Sequence, residues 1–582
     1  MTNAIHIQTN FTTGEMSPRL FGRNDLKKYN NAARTLENAL VETHGGLSKR
    51  SGTKFVQEIY TTGDAPITTA LPRLVEFHYN TEQSYVIEVG VTAAGGNNGQ
   101  HATPTNNGYV RFFRLDTTTN EPIILKEGGS GAVIDIIGLK WTADELSTLK
   151  FTQSADTMFI FCPTRPLQTL TRSGVDTAEA NWVIEDYELY DGPYLSKNTT
   201  DLKMSVDSVG TIDTTVTLSV TNGTTAENRM FTAADVGRHI RLEDPVESFT
   251  LNSFTPGVES TTNVQGDPAT VVINGNMTNA FPADGDAADR RAMVEFFNVK
   301  RGPTILEGTK HEARNITFAD NKTTLLLWNA TTGTLMDYHE VPTVAGESAV
   351  SGKCRIVNSD QAGWGIIAAL TGDNDGSGNY SQCTVTVKSP FVSVQATKQW
   401  RLGAWSKKTG FPQGGAFHQN RLWTVSTPEE PQTLHASEVN VYNNFSPNDL
   451  ENASVSDAQA MRITLSSRQV NAINHMKSDA QGLIVFTSGG EWIGRGTQPN
   501  SPITPTDINF AKQSSYGSVS SIEPVRFGTS YLMFQRDAKT LREYTYEFGQ
   551  DRFVAPNVTL MSEHITQNKV VDMTFQMGGT QR

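Results

Sequence analysis

Cysteine is scarce in this chain of 582 residues. Its three cysteines, Cys162, Cys354 and Cys383, are too few and too scattered for a disulfide framework. Such usage fits synthesis in a reducing cytoplasm. Positive charge is short as well, with 48 Lys and Arg against 61 Asp and Glu and a formal net charge of −13. No basic tail or block offsets that balance, which removes the electrostatic footprint of a protein that grips phosphate backbones. Nucleic acid can still pass close by. Long apolar runs are also missing. No stretch approaches the roughly 18 apolar residues of a membrane-spanning helix, and the polar start Met1–Thr9 lacks the apolar core of an export signal. Neither membrane insertion nor signal-directed export is expected.

Catalytic signatures are equally thin. There is no GxxxxGK[ST] phosphate loop, no GxGxxG, no GxSxG elbow and no HExxH pair. His311-Glu312 and His339-Glu340 lack a second ligand at helical spacing. Asp373-Asn374-Asp375-Gly376-Ser377-Gly378 places oxygen ligands and a glycine as a calcium loop does, but the twelfth position is Thr384 where a bidentate Glu is needed. A Gly-rich hairpin turn accounts for it better. The carboxylates Asp284 and Asp286 read as ordinary Asp-Gly turn chemistry rather than as a glycosidase pair. No catalytic, metal-binding or cofactor-binding residue is expected, and the chain does not read as an enzyme.

What is present is strand. Short runs of β-branched and aromatic residues punctuated by Gly, Asn, Asp and Pro dominate. Several take one form, an apolar strand, a polar turn and a second strand: Thr157–Cys162 with Pro166–Leu170, Asn420–Val425 with Gln432–His435, Gly482–Phe486 with Glu491–Ile493, and Tyr531–Phe534 with Leu541–Tyr544. Tyr85–Val89 resembles their first halves. A strand pair cannot bury both faces alone, so these read as hairpins of a propeller-like or radial array, with a plain β-sandwich as the alternative. One N-terminal amphipathic helix is expected from Asn24 or Asp25, with Leu26, Tyr29, Ala33, Leu36 and Leu40 on one face and Gly45-Gly46 ending it. Composition divides the chain into residues 1–60 (arm, helix and Gly-Gly turn), 61–197 (first part of the β platform), 198–398 (inserted β material rich in Thr, Asn and Gly) and 399–582 (second part of the platform). Residues 91–108 and 255–290 read as loops.

The stretch Gly14-Glu15-Met16-Ser17-Pro18-Arg19-Leu20-Phe21-Gly22-Arg23-Asn24-Asp25, followed by Asn38 and His44-Gly45-Gly46-Leu47-Ser48-Lys49-Arg50-Ser51-Gly52-Thr53-Lys54-Phe55-Val56, resembles the opening of the tail nozzle proteins (tail tubular protein B family) of short-tailed, podovirus-like bacteriophages. Further matches follow in the same order. They include Gln153–Asp156, Asp191-Gly192-Pro193-Tyr194, Asp235-Val236-Gly237-Arg238, Trp400–Ser406, Phe417–Leu422, Asn444-Phe445-Ser446, Gln513–Ser518 and Ser562-Glu563-His564. The resemblance implies a structural virion protein of the phage tail, made in the host cytoplasm. It implies a homo-hexameric ring under the tail adaptor ring, with tail fibres as possible neighbours and genomic DNA passing transiently through the lumen. It makes Arg19, Arg23, Lys49 and Arg50 candidate subunit or adaptor contacts. Family members usually continue past the segment resembling Val570–Gln576, so the chain is expected to stop early relative to them. The alternative reading is a trimeric receptor-binding or depolymerising tail spike, against which the sequence shows no stacked β-helix repeats and no long heptads.

Overall fold

The computed structural model describes residues 8–575, apart from 58, 60–70, 81–82, 92–107, 117–120, 244–247, 256–269, 275–290, 302–303, 307–308, 320–321, 329–350, 358–361, 393, 395, 447–455, 468–470, 499–500 and 551. For the strands between 248 and 357 the backbone pairing alone is described. The protein is mainly β, and among the described residues helix is confined to single turns. Two compact units divide the chain: the first holds residues 1–190, 409–447 and 455–582, the second 191–408 and 448–454.

Among the described residues of the first unit, beside two two-stranded pairings in the N-terminal arm, five larger antiparallel sheets follow one another along the chain. Sheet 1 runs Arg73–His78, Ser84–Val91, Gly108–Leu115 and Pro122–Ile124, with Asp135–Leu139 also on the third strand. Sheet 2 runs Lys150–Ser154, Thr157–Cys162, Arg165–Arg172 and Trp182–Asp186. Sheet 3 comprises Gly414–His418, Arg421–Val425, Thr433–Ala436 and Met461–Thr464. Sheet 4 comprises Ile473–Asp479, Gly482–Thr487, Gly490–Arg495 and Asn509–Ser514. Sheet 5 comprises Val525–Phe527, Ser530–Phe534, Leu541–Glu547 and Arg552–Val554.

The continuous apolar strands explain how these sheets are held. Successive side chains point to opposite faces, so a strand such as Leu483-Ile484-Val485-Phe486 feeds two cores at once. Leu483 and Val485 pack with Trp423 and Leu434 of sheet 3, while Ile484 and Phe486 pack with Tyr531 and Tyr544 of sheet 5. Sheets 1 and 2 share a core around Phe112, Leu149 and Trp182, whose Phe112 and Trp182 rings stack at 4.1 Å. Phe159 of sheet 2 meets Phe417 of sheet 3 edge-on at 5.4 Å. Each sheet therefore packs on the next in chain order.

The second unit is built on a six-stranded antiparallel sheet in the order Lys203–Val206, Thr215–Thr221, Tyr380–Ser389, Ala362–Asn374, His239–Glu243, Trp400–Leu402. The alternation of Thr215–Thr221 puts Val216, Leu218 and Val220 into its core. A seven-stranded sheet lies between residues 248 and 357, so Thr270–Asn274, within the stretch read as loop, is a strand.

The expected N-terminal helix does not form. Tyr29–Asn31 makes a single 3-10 turn, Ala32–Ala33 pairs in parallel with Gly14–Glu15, and Asn38 takes a left-handed φ of 52°. Ala39–Val41 then pairs with Leu47–Lys49. Helical spacing of five apolar residues is too weak to hold a helix without a core for its face. The Glu15 carboxylate instead takes the Leu36 N–H at 2.7 Å and keeps the backbone extended.

Candidate functional site

The N-terminal arm is clasped to a segment more than 500 residues further along the chain. Ser17 donates its hydroxyl to Glu563 at 2.9 Å, the Ser17 N–H donates to the Met561 carbonyl at 2.8 Å, and His564 Nε2 lies 2.9 Å from Glu15 Oε1. The hydrogen bond to His564 comes first, and that from the Leu36 N–H second, among the causes that hold the Glu15 carboxyl below its usual range. Ser17 also caps the short 3-10 turn Pro18–Leu20, accepting the Arg19 N–H. Gly45, in the turn of the Ala39–Lys49 hairpin, has a φ of 94°, and a Cβ there would lie 2.3 Å from Asn10 Cβ. Only glycine suits that contact.

Beside the clasp lies a cleft of about 600 Å³ lined by Met16, Phe21, Tyr29 and Arg34, among others. The Arg34 guanidinium sits 5.5 Å over the Phe21 ring. Both clasped segments carry large apolar side chains facing water: Phe21, Leu47 and Phe55 on the arm, Leu560, Ile565 and Val571 on the other segment. Phe55 is 74% exposed and Val571 86%. Short irregular segments with polar anchors and bare apolar side chains make poor core and good contact surface.

The four basic residues expected as contacts are not gathered. Arg19 lies 3.7 Å from Glu563 with its side chain almost free, and Arg23 pairs with its neighbour Asp25 at 2.6 Å. Lys49 and Arg50 are exposed at the end of the hairpin. The residues that fasten the arm are Glu15, Ser17, Glu563 and His564. All four lie within matched stretches, yet nothing in a single sequence pairs positions so far apart.

Other matched stretches also meet. In the second unit, Arg238 donates to the Gly403 carbonyl at 2.8 Å and pairs with Asp235 at 2.7 Å, the Ala404 N–H donates to the Pro193 carbonyl, and Tyr194 donates to Asp191 at 2.6 Å. Asp191 holds Arg241 at 2.9 Å, and Glu243 holds Arg401 and Lys197 at 3.1 and 2.6 Å. Burial would raise the Asp235 carboxyl, but the Thr232 N–H, Arg238 and Lys408 outweigh it and hold the carboxyl low. In the first unit, Arg421 is buried and donates to the carbonyls of Ser437, Gln459 and Asp457.

The calcium-like string is a hairpin turn. The Asn379 side-chain amide first, then the Asn379 and Ser377 N–H groups, which donate to Asp375 at 3.1 and 2.8 Å, hold its carboxyl down at about 2. Among the described residues no three His, Cys, Asp or Glu side chains are grouped to hold a metal ion, and no helix is long and apolar enough to cross a membrane. Asp284, Asp286, His339 and Glu340 lie outside the described residues, as do 92–107 of the expected loop 91–108. No protein-family model matches the chain, and no curated protein matches it.

Proposed function

We propose that the chain is a structural subunit of the hexameric tail nozzle of a short-tailed bacteriophage, part of the channel through which the genome leaves below the adaptor ring. In this reading the five successive sheets form a propeller-like platform, and the second unit is inserted into it. The protein works passively, with no turnover and no cofactor, inside an assembly whose opening is triggered elsewhere.

The observation that carries the reading is the clasp. The first and last of the collinear matches, Gly14–Ser17 and Ser562–His564, bond directly, so the resemblance runs through contacts that organise the chain's ends. The exposed apolar side chains on both clasped segments suit a surface completed by assembly. An acidic chain also suits a conduit, since each neutralised phosphate would add attraction and slow the sliding of DNA.

Electron-microscopy class averages of tail complexes containing this chain test the proposal. A sixfold ring with an open axial channel, on the tail axis beyond the adaptor, is the expected result. Threefold particles at the periphery would replace it with the tail-spike reading.

A further inference from the structure

The first strands of sheets 1, 2 and 4, with the turn entering sheet 5, bring four charged side chains together. Lys150 opens sheet 2, and its ammonium donates to the Asn474 carbonyl of sheet 4. Its stem runs past sheet 3, where a Cβ on Gly414 would lie 3.2 Å from Lys150 Cδ. Arg73 opens sheet 1 and donates to the carbonyls of Leu146 and Leu149, its guanidinium 5.5 Å from the Phe151 ring centre. Lys477 of sheet 4 pairs with Glu523 at 2.5 Å. Arg73, Lys477 and Glu523 all act on Lys150 through space, which makes three cations to one carboxylate.

That carboxylate is engaged by Lys477. Among the described residues, Lys150 and Arg73 hold backbone carbonyls and no carboxylate. Burial first brings the Lys150 ammonium down to about 8, with Glu523 opposing the shift and Arg73 and Lys477 adding to it, so it remains charged at neutral pH. One carboxylate against three cations leaves partly buried positive charge in excess, which is unfavourable, and in a chain of net charge −13 the grouping is not part of a general basic surface. Lys150 has two further N–H donors, and Arg73 has its Nε and second amino group, a set that matches the edge of an oxyanion.

We propose that Lys150 and Arg73, with Lys477 beside them, bind a small tetrahedral oxyanion of the phosphate or sulfate class between the first strands of the sheets. The ion would neutralise the cluster and tie sheets 1, 2 and 4 together. Isothermal titration of the full chain with inorganic phosphate, in chloride buffer at pH 7, tests this. Saturable binding of one ion per chain is expected, weakened at least tenfold in K150M, retained in K150R and weakened at least threefold in K477M. Thermal unfolding in chloride shows whether each variant is folded, and the K477M arm stands if K150M is not. Absence of saturable binding, equal binding by folded K150M and K477M, or a response to an oligonucleotide but none to inorganic phosphate would each overturn the proposal.

Discussion

Three histidines of the first unit are buried without charge. Burial is the leading cause in each case: it brings His418 down to about 4 and His435 to about 3, and holds His475 well below the usual histidine range. His475 Nε2–H donates to the Val519 carbonyl at 2.9 Å, and His418 Nδ1 lies 2.8 Å from Ser478 Oγ. A histidine whose folded value is depressed binds its proton in the unfolded state first. Its contribution is complete above the ordinary value near 6.5 and is lost as pH falls towards 4. At about 1.4 kcal/mol per unit, His418 alone accounts for up to about 3 kcal/mol. Glu491 acts with the opposite sign, since burial raises its carboxyl, but it is one group against three. The urea midpoint should therefore drop between pH 7 and pH 4.5, and H418Q should flatten that drop. A midpoint independent of pH over this range would show that these histidines are not buried neutral. Asp235 is the matching residue in the second unit. D235N removes the 2.7 Å charge pairing from Arg238, 2% exposed, and should cost about 3 kcal/mol, measured by chemical unfolding.

At the scale of elements, the arm depends on one carboxylate and one glycine. E15A removes the acceptor for the Leu36 N–H and the partner of His564 together. Loss of two bonds to a charged group should open the arm locally by about 2 kcal/mol, raising amide exchange at Leu36 more than tenfold while Val485 in sheet 4 stays protected. G45A should destabilise the same hairpin, because its φ of 94° and the Asn10 contact leave no room for a methyl group. The sheets were far more legible in the sequence than this arm. Thr157–Cys162, Arg421–Val425, Gly482–Thr487 and Ser530–Phe534 each pair antiparallel with the strand that follows them, because their apolar runs are short and bounded by turns. The arm misleads because Leu26, Tyr29, Ala33, Leu36 and Leu40 keep helical spacing while Ala33 pairs with Glu15, Leu40 pairs with Ser48 and the Leu36 N–H goes to the Glu15 carboxylate. Spacing reports which side chains share a face only when the chain is helical. The clasp and the Lys150 cluster were illegible for a related reason, since each is assembled by non-local pairing among residues that are individually ordinary.

At the scale of the molecule, the chain leaves its first unit after residue 190 and returns to it at 409. Each unit has its own apolar core: Phe112, Trp423, Val485 and Tyr544 belong to the first, and Leu218, Ile240, Ile367 and Val385 to the second. The clusters of the first unit are linked by strands that feed two of them at once, none shares a residue with the cluster of the second unit, and cooperativity follows shared burial, so two unfolding transitions are predicted rather than one. Paired substitutions assign them. D235N acts on the second unit. R421M acts on the first, where it strands the carbonyls of Ser437, Asp457 and Gln459 and should cost about 3 kcal/mol. In scanning calorimetry D235N should lower one transition by several degrees and R421M the other, with the unaffected transition moving by less than about 1 °C. Acid should favour loss of the first unit, since among the described residues it holds three buried neutral histidines against His239 in the second. Movement of both transitions by either substitution would mean that the units fold as one, and the stability of residues 191–408 would then not be separable from that of the first unit.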